Sequence, residues 1–239
     1  MMRRRSSVLL AAVLACFPFA ASAADAPAAP AAATAAPAPS AAEAAFLAKI
    51  MHDLPQKYPN PKAATAAGYV RYTNEDETGA ISYANPARFN TTSADAPAQL
   101  WYDVNGRLVG ADFSVRRNPD ASPAPAPASL FGIDAKRFEK IGAHVHFVTC
   151  DKATGKCVYG KAVGAKKYAA VGDVEHPTAD GLVKTGAVKD AAAVSAVFLY
   201  PAIYNVSVWV VPNPLGQFAD KNPAVKPSAR AGKGEDDPM

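Results

Sequence analysis

The chain has 239 residues, 50% of them apolar on a broad count, and a formal charge of +4. Arg3, Arg4 and Arg5 lie in an expected leader. Without them, the 25 basic residues fall to 22 against 21 acidic ones, which excludes the Lys/Arg surplus that binding to a phosphate backbone needs. Beyond the leader no stretch approaches the ~20 apolar residues of a membrane-spanning helix, so the mature chain is expected to have neither a nucleic-acid partner nor a transmembrane helix.

Residues 1–23 combine a basic start, an apolar middle and the small residues Ala21, Ser22 and Ala23. This is the pattern of a cleaved secretory signal peptide, and it points to a periplasmic or secreted protein. An alternative starts from Val13-Leu14-Ala15-Cys16, a loose lipoprotein box that would anchor the chain through a lipidated Cys16. Residues 24–39 are rich in Ala and Pro, show no periodic apolar face, and read as a linker.

The ordered domain is expected over residues 40–220. Ser40 and Glu43 form a capping box. Phe46, Leu47, Ile50, Met51 and Leu54 then follow helical spacing until Pro55 stops the run. A second short helix is framed by Asn60 as cap, Pro61 in the first turn and Gly68 at its end.

Eight strands follow, at residues 69–73, 80–84, 99–103, 107–115, 144–150, 157–163, 193–199 and 206–211. Asn105-Gly106 between the third and fourth is expected to form a type I′ hairpin turn. Residues 118–129 read as a Pro/Ala-rich surface loop, and one helical turn fits within 131–141. Residues 221–239 lose periodicity and read as a disordered tail. The expected class is α+β, mainly antiparallel β-sheet with two short N-terminal helices.

Cys150 and Cys157 close a short loop at the tip of an expected hairpin. In an oxidising compartment this is a natural disulfide, and their C-x6-C spacing does not match a redox C-x-x-C pair.

His144 and His146 are two apart on one strand, so period-2 geometry puts both imidazoles on one face, with Cα atoms roughly 7 Å apart. Such a face can present two nitrogens to a divalent transition metal. Asp151, Glu175 and His176 are candidate third ligands. The competing reading is a pair of half-buried or solvent-facing rings on an edge strand.

Trp101, Tyr102, Tyr200, Tyr204 and Trp209 could line an aromatic pocket, although strand aromatics are usually core. Glu75, Asp76 and Glu77 read as a solvated loop cluster. His52 lies off the helical stripe and reads as solvated. Neither Ser114 nor Ser207 has a nucleophile-elbow context, and the sequence contains no P-loop or dinucleotide fingerprint.

Five stretches in order are residues 58–70 (YPNPKAATAAGYV), 79–86 (GAISYANP), 98–113 (AQLWYDVNGRLVGADF), 130–132 (LFG) and 204–223 (YNVSVWVVPNPLGQFADKNP). Together they resemble a family of secreted bacterial proteins of unknown function. Members of that family read G-x-H-Y-x-N-P, L-V-G-V-E-Y and L-H-x-W at three of these stretches. Those two histidines and one glutamate would suit a metal or polar ligand. Here the positions hold Ser82, Asp112 and Ser207, and the segment carrying His144 and His146 is longer than in relatives.

The resemblance implies no activity, and with no catalytic constellation the sequence points away from an enzyme. The expected function is that of an exported binding or accessory protein, its partner a small ligand or an envelope protein. The alternative is a metal-binding protein or metalloenzyme built on His144 and His146.

Overall fold

The computed structural model describes residues 34–117 and 130–233. The leader at 1–23 with Cys16, most of the linker, the loop at 118–129 and the tail beyond 233 lie outside the described residues. No helix among the described residues is long and apolar enough to cross a membrane.

Helix α1 (Ala41–Lys57) starts at the expected capping box. The Glu43 N–H donates to the Ser40 hydroxyl at 3.2 Å, and the Ser40 N–H donates to the Glu43 carboxylate at 2.8 Å. Pro55 does not stop the helix, which runs on to Lys57. So near the C-terminus the proline forfeits one backbone bond, while Leu54 and Tyr58 on either side stay buried. Helix α2 (Pro61–Ala66) has the expected Asn60 cap, and Gly68 follows at φ +84°.

Among the described residues nine antiparallel strands follow: β1 (Val70–Arg71), β2 (Ile81–Ala84), β3 (Gln99–Tyr102), β4 (Leu108–Arg116), β5 (Glu139–Ile141), β6 (His144–Cys150), β7 (Cys157–Gly164), β8 (Val194–Tyr200) and β9 (Ile203–Trp209). They form a six-stranded sheet in the order β1-β2-β3-β4-β9-β5 and a three-stranded sheet in the order β7-β6-β8. The α+β class with mainly antiparallel sheet therefore holds.

Short helices α3 (Ala165–Ala169) and α4 (Ala179–Lys184) were not legible in the sequence. Each spans fewer than two turns, too few residues to show a period. Strand β5 fell where a helical turn was expected. That turn is the 3-10 segment Ala135–Arg137 just before it.

The hairpin between β3 and β4 closes by a different turn from the one expected. Gly106 has φ +75°, but Asn105 is not among the positive-φ residues. The Gly106 N–H donates to the Asp103 carbonyl at 2.9 Å. The Asp103 carboxylate accepts from the N–H groups of Asn105 and Arg107. Asp103 thus stabilises an ordinary turn followed by one left-handed glycine, in place of a type I′ pair.

One face of the large sheet packs on α1. Phe46, Leu47, Ile50 and Leu54 share a core with Leu100, Phe113 and Val208, and Phe46 meets Phe113 edge-on with centroids 5.0 Å apart. Register puts two rows on the other face. Ser82, Trp101, Gly110 and Trp209 form one; Gln99, Asp112 and Ser207 form the next. In the small sheet, Val145 and Phe147 share a cluster with Tyr168 of α3 and Leu182 of α4. Tyr72, Phe198 and Tyr200 belong to a second cluster that joins the two sheets, and the Gly160 N–H of β7 donates to the Tyr72 carbonyl at 2.7 Å.

The described part of the tail, residues 221–233, packs onto the domain. Val225 is buried with Val109 and Trp209. The Asn222 side chain donates to the Pro212 carbonyl. Ser228 donates to Glu75 through both its N–H and its hydroxyl. Glu75 is consequently buried, not solvated as expected, because the tail folds back over it. Residues 34–39 also belong to the fold, with the Ala36 N–H donating to the Leu215 carbonyl at 2.7 Å. In both segments the partners come from distant residues, which local composition does not reveal.

Candidate functional site

The polar face of the large sheet carries a buried carboxylate. Asp112 on β4 is 4% exposed. Its Oδ1 accepts from the Ser207 hydroxyl at 2.7 Å, and its Oδ2 from the Trp101 indole N–H at 3.2 Å. Burial pushes its carboxyl up to about 7, against the lowering effect of hydrogen bonds from Ser207, Asn205 and Trp101. Beside it, Asn205 Oδ1 is buried without a hydrogen-bond partner among the described residues.

Trp101 lies across Gly110, where a β-carbon would come within 2.2 Å of the indole. Only glycine lets the ring settle there, and its edge meets Trp209 with centroids 5.5 Å apart. Above this face opens a cleft of about 1010 Å³. Trp101, Ser207 and Glu139 line it from the sheet, Arg137 and Phe218 from the side, and residues 34–40 form another wall. Of the aromatics proposed from sequence, Trp101 and Trp209 line this cleft, whereas Tyr102 is core.

Arg137 is fixed by Glu43. Its Nε donates to Glu43 Oε1 at 2.7 Å and its Nη2 to Oε2 at 3.2 Å. The guanidinium holds the Glu43 carboxyl down at about 2 despite its burial. The guanidinium also packs 4.2 Å from the centre of the Phe218 ring. The sequence marked Glu43 only as part of the capping box and did not pair it with Arg137, because 94 positions separate them.

The second cluster joins the two sheets. Gln99 donates from Nε2 to the Tyr200 hydroxyl at 2.8 Å and accepts from the Tyr72 hydroxyl at Oε1. Burial raises both tyrosine pKa values well above the ordinary phenol range. His144 stacks on Tyr200 with centroids 4.7 Å apart, and Tyr72 meets His146 edge-on at 4.8 Å. The Nε2 atoms of His144 and His146 lie 2.9 Å apart. Burial, with the neighbouring His144, lowers the His146 imidazole to about 4.

The structure therefore brings His144 and His146 together, on a central strand and not on an edge. The proposed third ligands lie elsewhere. Asp151 caps its own loop through the N–H groups of Ala153 and Thr154. Glu175 pairs with Arg116, and His176 with Asp173 at the surface. Among the described residues no group of three His, Cys, Asp or Glu side chains could hold a metal ion. Cys150 and Cys157 form the expected disulfide across the end of β6 and β7. His52 is exposed, as expected. Of the positions marked by the family resemblance, Asp112 and Ser207 meet directly, while Ser82 sits one row away, opposite Trp101.

Comparison with protein-family models, with curated proteins and with solved structures returned no match.

Proposed function

We propose that this chain is an exported binding protein, without chemistry of its own, that holds a small organic cation in the cleft over the polar face of its large sheet. The observation that carries this reading is the Trp101 ring, laid on Gly110 as part of an open cleft rather than sunk in the core. A cation over an indole face gains electrostatic attraction from the ring quadrupole. The lining adds Asp76, Asp134, Glu139 and Asp220 against Lys136 and Arg137, and Arg137 is already committed to Glu43. The charge left facing the cleft is thus negative. Export is supported by the leader pattern at residues 1–23 and by the disulfide.

The test is calorimetric titration of the purified mature protein with choline, spermidine and arginine, with glucose and citrate as neutral and anionic controls. Binding of at least one cation, weakened tenfold or more in Trp101→Ala and in Glu139→Gln, is the expected result. Heat from citrate or glucose alone, or cation binding indifferent to both substitutions, overturns the reading.

A further inference from the structure

We propose that His144 and His146 form a two-nitrogen chelate for a divalent transition-metal ion, copper(II) or nickel(II), at the junction of the two sheets. The argument is independent of the cleft and rests on where each imidazole proton must be. His144 Nδ1 lies 2.7 Å from the Gly142 carbonyl oxygen, and His146 Nδ1 lies 3.2 Å from the Lys161 carbonyl oxygen. A carbonyl can only accept, so each Nδ1 carries the hydrogen. Each neutral ring is then left with a bare lone pair on Nε2. The two Nε2 atoms that carry them lie 2.9 Å apart.

Two lone pairs at that separation repel unless a cation lies between or beside them. Backbone carbonyls that fix the tautomer and leave Nε2 free are what metal-binding histidines characteristically use. Metal–nitrogen bonds run about 2.0–2.1 Å. With the two nitrogens 2.9 Å apart, bonds of that length subtend about 90° at the metal. Adjacent corners of a square have this angle, and copper(II) and nickel(II) favour that tetragonal geometry, whereas zinc prefers the wider tetrahedral angle.

The scaffold is rigid enough to hold the pair. Strand β6 is hydrogen-bonded on both sides, to β7 and β8. The rings are clamped by Tyr72, Phe198 and Tyr200. No third His, Cys, Asp or Glu joins them among the described residues. The remaining corners would be filled by water or by a small donor molecule, as in an exchangeable site and not a structural one.

The experiment uses untagged, chelator-stripped mature protein at pH 7.5, titrated with copper(II) and followed by electron paramagnetic resonance. The expected result is one equivalent of tetragonal copper with coupling to two imidazole nitrogens. It should be lost in His144→Ala and in His146→Ala, and retained in a His52→Ala/His176→Ala control. The wild type gives a second readout that needs no folded variant. In 15N spectra, nickel or copper should broaden both Nε2 signals at substoichiometric levels before those of His52 and His176. Binding that survives loss of His146, or first broadening at the surface histidines, overturns the proposal. So does a pair that shares one proton and stays unchanged at one equivalent of either metal.

Discussion

Glu43 and Arg137 form a nearly buried, two-bond ion pair that ties the first turn of α1 to the segment before β5. The same carboxylate accepts from the Ser40 and Asp134 N–H groups. Arg137 also donates to the carbonyls of Pro37 and Ala38. One pair therefore fixes the helix start, the wall of the cleft and the last part of the linker. Removing one member of such a pair strands the other away from water. Arg137→Ala should lower stability in urea by about 3 kcal/mol, whereas Lys49→Ala, which breaks an exposed pair with Asp53, should cost far less, because water and salt screen that pair. Because the Glu43 carboxyl is lowered from 4.5 to about 2, its contribution is complete above that unfolded value and is lost as pH falls toward 2. Equal losses for the two variants at pH 7 would contradict this.

Asp112 works in the opposite direction. Its carboxyl is raised from 3.8 to about 7, so the native state keeps a proton that the unfolded chain has released. The stability it contributes is present below pH 4 and is lost as pH rises to 7, by on the order of 4 kcal/mol for a shift of that size. Asp112→Asn removes this titration. Melting curves should show the variant gaining on the wild type between pH 5 and pH 8, and parallel curves would place the proton elsewhere.

Gly110→Ala tests the seat of Trp101. The added methyl would meet the indole at 2.2 Å, so the ring must leave. Its hydrogen bond to Asp112 goes with it. Overpacking of this kind costs about 1–3 kcal/mol. The expected signature is a red shift in tryptophan emission together with a lower melting temperature; unchanged emission would mean that the ring does not rest on Gly110.

The Cys150–Cys157 disulfide closes a loop with a sequence separation of 7. In the chain-entropy account a loop of that size is worth about 2–3 kcal/mol. Reduction, or the double substitution to serine, should lower the melting temperature accordingly. Both the cleft and the histidine pair should remain intact, since the bridge lies at the far end of β6 from His144. Loss of ligand or metal binding on reduction would show that the bridge does more than cross-link.

Period-2 patterning gave the strands their places because a sheet residue buries or exposes its side chain according to which pleat it sits on. That is why residues 144–150 and 157–163 were legible as a hairpin, why His144 and His146 could be assigned to one face, and why the cysteines could be paired. The capping box gave the start of α1 for a similarly local reason. What was not legible was set by partners far along the chain. The tail looks disordered by composition, yet Ser228 reaches Glu75, 153 residues away. Strand β5 is too short to carry a pattern and exists because β9 lies beside it.

The sequence by itself determined the class of the fold, the leader pattern, the disulfide and the common face of the two histidines. Each follows from neighbours within a few residues, where backbone geometry leaves few choices. Only the tertiary structure decided that Asp112 is buried, that Trp101 lies on Gly110 at an open cleft, and that the Nε2 atoms of His144 and His146 come within 2.9 Å of each other. Those outcomes depend on strand order and on the packing of one sheet against another. They arise from contacts between segments that share no local signal, so no window of the sequence contains them.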